Sequence, residues 1–135
     1  MSKKTRSVQW CDRELVKAPF FYALCLDDKS FREELKRLNI KKKDWPAYVN
    51  NWHSQATCHF LENKNKSEIS AIICLKNWED KEDIAVYGLL VHEAAHLWQQ
   101  VRDLYGEASP SIEFEAYALQ NLSQNLFRQF KDQTK

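Results

Sequence analysis

The stretch from Ile84 to Tyr105 is rich in apolar residues and free of proline, opened by Asp80, Glu82 and Asp83 and closed by Gly106. Acids at its start complement a helix dipole, and a glycine just past its end accepts the left-handed turn that terminates a helix. The pattern predicts a helix over about 84–105, around which the rest of a 135-residue chain must pack. Gly88 alone weakens it; lying one turn before His92, it is expected to let a strand or a substrate approach closely.

Two glycines and three prolines in the whole chain favour helices joined by a few strands over a glycine-rich all-β fold. After Pro110, the series Ile112, Ala116, Leu119, Leu122, Leu126 and Phe130 predicts a helix over about 111–130. Thr57–Leu61 and Ile69–Leu75, separated by a polar run, read as an antiparallel strand pair within about 57–75. Ahead of it, Ser30-Phe31-Arg32-Glu33 is a capping-box pattern that starts a short helix over about 31–38. Val8–Leu26 reads as a helix broken or started near Pro19, and Ala47–His53, with Tyr48, Val49 and Trp52, as another short helix. The expectation is one α+β domain over 1–135, mostly helical, with N-terminal helices in about 8–52 and a small antiparallel sheet.

Twenty basic residues nearly cancel nineteen acidic ones, so no global field draws the chain to nucleic acid or an anionic membrane. Lys41-Lys42-Lys43 reads as a solvated loop, and the five tryptophans, not interleaved with basic residues, read as core rather than as stacking platforms. Cys11, Cys25, Cys58 and Cys74 form no Cys-x-x-Cys pair and mostly have apolar neighbours, which suits reduced thiols and a cytoplasmic location. The basic N-terminus is followed by no apolar core of a signal sequence, and no stretch reaches membrane-spanning length.

The chemistry concentrates at His92-Glu93-Ala94-Ala95-His96. Residues four apart on a helix stack one turn above each other, so His92 and His96 can place two imidazole nitrogens on one tetrahedral zinc ion. Glu93 then stands beside the metal, where a carboxylate can take a proton from a zinc-activated water as general base and return it to a leaving amine. A catalytic zinc site needs a third protein ligand. A glycine turn followed by a ligand would require Gly at position 99 and a ligand at 102, where this chain has Gln99 and Arg102, a guanidinium that cannot ligate zinc. Asp103 returns to the histidine face, but about 10 Å beyond His96. His53 and His59 have no acid or cysteine at ligand spacing and read as structural or exposed.

His-Glu-x-x-His followed by Glu-x-x-Ala at the start of a second helix resembles the gluzincin group of zinc metallopeptidases, and is similar also to small HExxH proteins encoded by phages and prophages. The resemblance spans about Ile84–Leu122. It implies a minimal zincin-like domain, one Zn2+ ion, a peptide or protein substrate, and a ligand glutamate from the last helix. On the helical wheel Glu115 falls at the edge of the apolar face, where a buried carboxylate wants a metal or a base, while Glu113 falls on the polar side. Glu115 is therefore the expected third ligand and Glu113 the alternative. Some gluzincins carry an acid four residues after that glutamate to orient a zinc histidine; here the place is Leu119, so orientation must come from elsewhere, such as a backbone carbonyl or a water. Tyr117 is expected to be an ordinary packed tyrosine. The resemblance further implies a substrate laid along an edge strand, which by position would be Ile69–Leu75; a plain core strand is an equal reading of the same residues. The alternative function is a catalytically inactive zinc-binding domain, of phage or prophage assembly or protein interaction.

Overall fold

The computed structural model describes residues 6, 8–11, 20–51, 53–63 and 68–135. Its elements in chain order are β1 (Trp10–Cys11), β2 (Phe21–Cys25), α1 (Asp28–Arg37), β3 (Ala56–Asn63), β4 (Glu68–Leu75), α2 (Asp83–Tyr105) and α3 (Ile112–Gln133), with short 3-10 turns at Lys42–Asp44 and Trp78–Asp80. The fold is α+β. The strands form one sheet in the order β1-β2-β4-β3. β3 and β4 pair antiparallel as expected, with Thr57 opposite Cys74 and Phe60 opposite Ala71. β2 runs parallel to β4, so the sheet is mixed rather than wholly antiparallel.

The region read as N-terminal helices departs most from expectation. Phe21–Cys25 is a strand, and the run Tyr22-Ala23-Leu24-Cys25 is buried throughout. A strand covered on both faces carries a continuous apolar run without alternation, which periodicity cannot separate from a buried helix. Pro19 and residues 12–19, on which the helical reading turned, lie outside the described residues. Ala47–Asn51 is irregular rather than helical, and Trp52 lies outside the described residues. That loop is held instead by Tyr48, whose hydroxyl lies 2.6 Å from the Leu75 carbonyl and 3.0 Å from that of Cys25. α1 starts three residues ahead of the expected helix, because Asp27 rather than Ser30 is the cap: its carboxylate accepts the Ser30 N–H at 2.8 Å. Hydrogen bonds from Ser30 and the charge on Arg6 overcome the effect of burial and hold the Asp27 carboxyl below its usual range.

Of the two readings of Ile69–Leu75, the core strand holds and the edge strand does not. The segment belongs to β4, the central strand between β2 and β3, and the edge is β3. Ala71-Ile72-Ile73-Cys74-Leu75 is buried on both faces, which an edge strand beside an open cleft would not be. One face packs on α1 through Phe31, Leu35, Ile72 and Cys74; the other packs on α2 and α3 through Leu24, Ile73, Leu90, Leu97, Leu122 and Leu126. β1 pairs with Tyr22 and Ala23 only. Beyond it, Gln129 accepts the Leu24 N–H at 3.0 Å and Gln133 donates to the Leu24 carbonyl at 2.9 Å, so α3 supplies the polar partners that a neighbouring strand would have supplied.

α2 sets the position of the motif. Val86, Leu90, Ala94, Leu97 and Val101 recur every three or four residues and are buried, so this stripe fixes the rotation of the helix against the sheet. The helix ends at Gly106, whose φ of 68° places it in the left-handed region that glycine adopts without strain, and Glu107 N–H closes the end on Arg102 O at 2.9 Å. Gly88 does not serve close approach. A methyl group there would find no heavy atom of another element within 4 Å. α3 begins after Ser111, whose hydroxyl accepts the Phe114 N–H at 3.3 Å, and extends past the expected end at 130 to Gln133.

Candidate metal centre

With the buried stripe of α2 on the sheet, His92 and His96 fall on the side that faces outward along β3, and both are exposed. Glu93, a third of a turn from His92, points inward between them and the sheet and is only 4 % exposed. Potential ligand atoms of His92, Glu93 and His96 all lie within 4.8 Å of one another. The Nε2 atoms of the two histidines stand 3.2 Å apart. Two nitrogens each about 2.0–2.1 Å from a tetrahedral zinc stand about 3.3–3.4 Å apart, so the pair is already spaced as two corners of such a site.

His96 Nδ1 lies 3.2 Å from Gln99 Oε1. With the Nδ1–H donating to that amide oxygen, Nε2 keeps its lone pair free for a metal. This is the orienting contact that Leu119 cannot give, and it comes from a neighbour one turn on in the same helix. The spacing of Gln99 from His96 carries this signal, beside its place where a glycine turn would need glycine.

One carboxylate oxygen of Glu93, Oε2, is buried with no hydrogen-bond partner. Burial pushes the Glu93 carboxyl above its usual range, against the opposing pull of His96 and His92. A buried acceptor without a donor costs about 1–3 kcal/mol; Gln133 Oε1 is another such atom, but only Glu93 Oε2 stands among potential metal ligands. A cleft of about 380 Å³ opens over these side chains. Across from them β3 lines it with Ala56, Thr57, Cys58 and Phe60, and Asn50 and Asp103 also contribute to the lining. Asn50 is fixed there by its N–H donating to Thr57 Oγ1 at 2.9 Å. Burial, aided by the charge of Glu93, raises the Cys58 thiol well above its usual range. The β3 wall and Asn50 were not legible beforehand, because they reach the motif only through the sheet order.

The glutamates of α3 are not brought to the histidines. Among the described residues, the group of possible metal ligands holds His92, Glu93 and His96 and neither Glu115 nor Glu113. Glu115 Oε2 instead accepts the Trp98 Nε1–H at 2.6 Å and lies 3.6 Å from the Arg102 guanidinium. Trp98 is two residues past His96, so on a helix it projects to the opposite side of α2, and α3 packs on that side. The wheel placed Glu115 correctly at the edge of a buried face; the partner it finds there is an indole and a guanidinium. Glu113 is exposed in the first turn of α3. Tyr117 is 53 % exposed rather than packed.

His59 is buried, stacked on Phe31 with ring centroids 4.8 Å apart, and its Nε2 lies 2.9 Å from the Tyr48 carbonyl. His53 is exposed. Trp10, Trp45, Trp78 and Trp98 each donate their indole N–H inside the fold, to Glu34, Ile40, Leu26 and Glu115. The four cysteines form no disulfide with one another, and two of them are buried. Among the described residues no helix is long and apolar enough to cross a membrane. No protein-family model, no curated protein and no solved structure matches this chain.

Proposed function

We propose that the protein is a zinc-dependent metallopeptidase that hydrolyses peptide bonds in the cleft between α2 and β3. The observation that carries this reading is the buried, unpartnered Oε2 of Glu93 beside two imidazole nitrogens at zinc-ligand spacing. His92 and His96 would hold the ion, and Gln99 would keep the His96 ring turned toward it. A bound zinc ion supplies polarisation of the scissile carbonyl and acidification of a water. Glu93 accepts the proton as general base and returns it to the leaving amine, its desolvated carboxylate being the stronger base for it. An extended peptide fits the exposed edge of β3, whose backbone is unpaired on the cleft side among the described strands. Glu115, the ligand that the resemblance implies, would have to give up its bond to Trp98 to join them. The unbridged cysteines suit a reducing compartment, and the cytoplasm of a bacterium or phage-infected host is part of the reading.

The test is Glu93→Gln. The variant binds one equivalent of zinc like the wild type, and its hydrolysis of a peptide library, followed by mass spectrometry, falls by about a hundredfold or more. Equal hydrolysis by both proteins sinks the proposal. His96→Ala loses the zinc and, with it, the rise in melting temperature that zinc gives the wild type.

A second reading, a zinc-bearing interaction domain without turnover, draws on the apolar side chains exposed at the start of α3: Ile112 at 85 %, with Phe114 and Tyr117 about half exposed. Under it Glu93→Gln is silent in every assay, while Phe114→Asp abolishes partner binding.

A further inference from the structure

The cleft is charged on one side only. Its lining contains two carboxylates, Glu93 and Asp103, and the amides of Asn50, Gln99 and Gln100, with no lysine or arginine. Asp103 lies seven residues beyond His96, nearly two full turns, so it returns to the same face of α2 about 10 Å farther along the cleft. It is exposed and has no ion-pair partner among the described residues. The cation next to it in sequence, Arg102, turns to the other side of the helix, where it donates to the Ala108 carbonyl at 2.7 Å and faces Glu115. Lys81, near the base of β3, is taken by Gln55 Oε1 at 2.7 Å. Nothing described in the protein therefore neutralises the Asp103 end of the cleft.

We infer that Asp103 is a specificity-determining residue that selects peptides carrying a lysine or arginine about three residues from the scissile bond. This rests on the peptidase reading of the same cleft and adds to it the chemical class of substrate. Laid along α2 in the cleft that α2 and β3 share, an extended peptide advances about 3.3 Å per residue, so the helix rise of about 10 Å from His96 to Asp103 spans about three residues. A long cationic side chain there meets the carboxylate with its head, while its methylene stem lies on the apolar wall to which Phe60 contributes. The same arrangement disfavours an acidic residue at that position, since Asp103 repels it and no cation in the lining receives it.

The experiment compares three peptides of one sequence with Lys, Gln or Glu placed in turn at each position flanking the cleaved bond, using zinc-loaded protein. Hydrolysis gives kcat/KM, and fluorescence anisotropy with zinc-loaded Glu93→Gln gives binding without turnover. At one position about three residues from the bond, Lys is preferred over Gln by about fivefold and over Glu by more, and the preference shrinks with added salt. Asp103→Asn removes it and Asp103→Lys turns it toward Glu, while zinc content stays at one equivalent in both. Hydrolysis without charge preference, or a preference that survives Asp103→Asn, overturns the inference and leaves the peptidase reading standing. Binding with the charge preference but without hydrolysis in the wild type overturns the peptidase reading and leaves Asp103 as the selector of a bound cationic peptide. Neither binding nor hydrolysis of any peptide overturns both.

Discussion

On the α3 side of α2, Glu115 is partnered through Oε2: the Trp98 indole donates to it at 2.6 Å, Arg102 lies 3.6 Å away, and Trp98 packs on Phe114 with ring centroids 5.8 Å apart. On the β3 side, Glu93 is more deeply buried yet its Oε2 has no donor, and the histidines beside it are exposed. Two carboxylates of one helix pair thus sit in opposite conditions. A partnered acid that is only partly buried, such as Glu115, joins elements together at a small desolvation cost. An unsatisfied one lowers stability, and beside two exposed imidazoles it is open to a ligand, as Gln133 Oε1 in α3 is not. The difference separates the scaffold from the candidate site more sharply than residue type does, since both are glutamates close to the two histidines in sequence.

The largest effect is expected on the satisfied side. Trp98→Ala removes a nearly buried indole, its ring contact and its hydrogen bond, and costs about 3–5 kcal/mol in urea unfolding. A cost under about 1 kcal/mol would mean that α3 does not depend on this contact, and the comparison would fail. Next comes Glu115→Ala, which strands the Trp98 N–H and costs about 1–3 kcal/mol. Zinc affinity in this variant stays within about twofold of the wild type, measured by competition with a chromophoric chelator. A loss of about tenfold or more would show that Glu115 exchanges the indole for the metal, and the two sides of α2 would no longer differ in kind.

α2, α3 and the β3–β4 pair were legible in the sequence because their apolar residues recur at 3.6 or lie in short bounded runs between polar segments. β2 was not, because a strand buried on both faces has no period to read, and its partner β4 lies about fifty residues away along the chain. His92, Glu93 and His96 were legible because a helix alone brings residues four apart together. The surroundings of Glu115 were not, because they depend on which side of α2 the last helix packs. The wheel shows that Glu115 approaches a buried face but not whether an imidazole or an indole waits there. Gln99 was accessible from spacing alone, whereas Asn50 and the β3 wall needed the strand order.

The smallest effect expected is also the one of opposite sign. In metal-free protein, Glu93→Leu replaces a desolvated carboxylate that has an unpartnered oxygen with an apolar side chain of similar reach, beside Cys58 and the buried stripe of α2. The variant is expected to be more stable than the wild type by about 1 kcal/mol in urea with a chelator present, as the uncompensated group is removed. The imidazoles nearby offset part of the gain, since they favour the charged form of Glu93, and this keeps the figure at the low end. Glu115→Leu is the matched control and loses stability, because there the carboxylate is the partner of a buried donor. If Glu93→Leu instead costs as much as Glu115→Leu, Glu93 is held by the fold in the same way, and its buried oxygen no longer marks a site kept for chemistry.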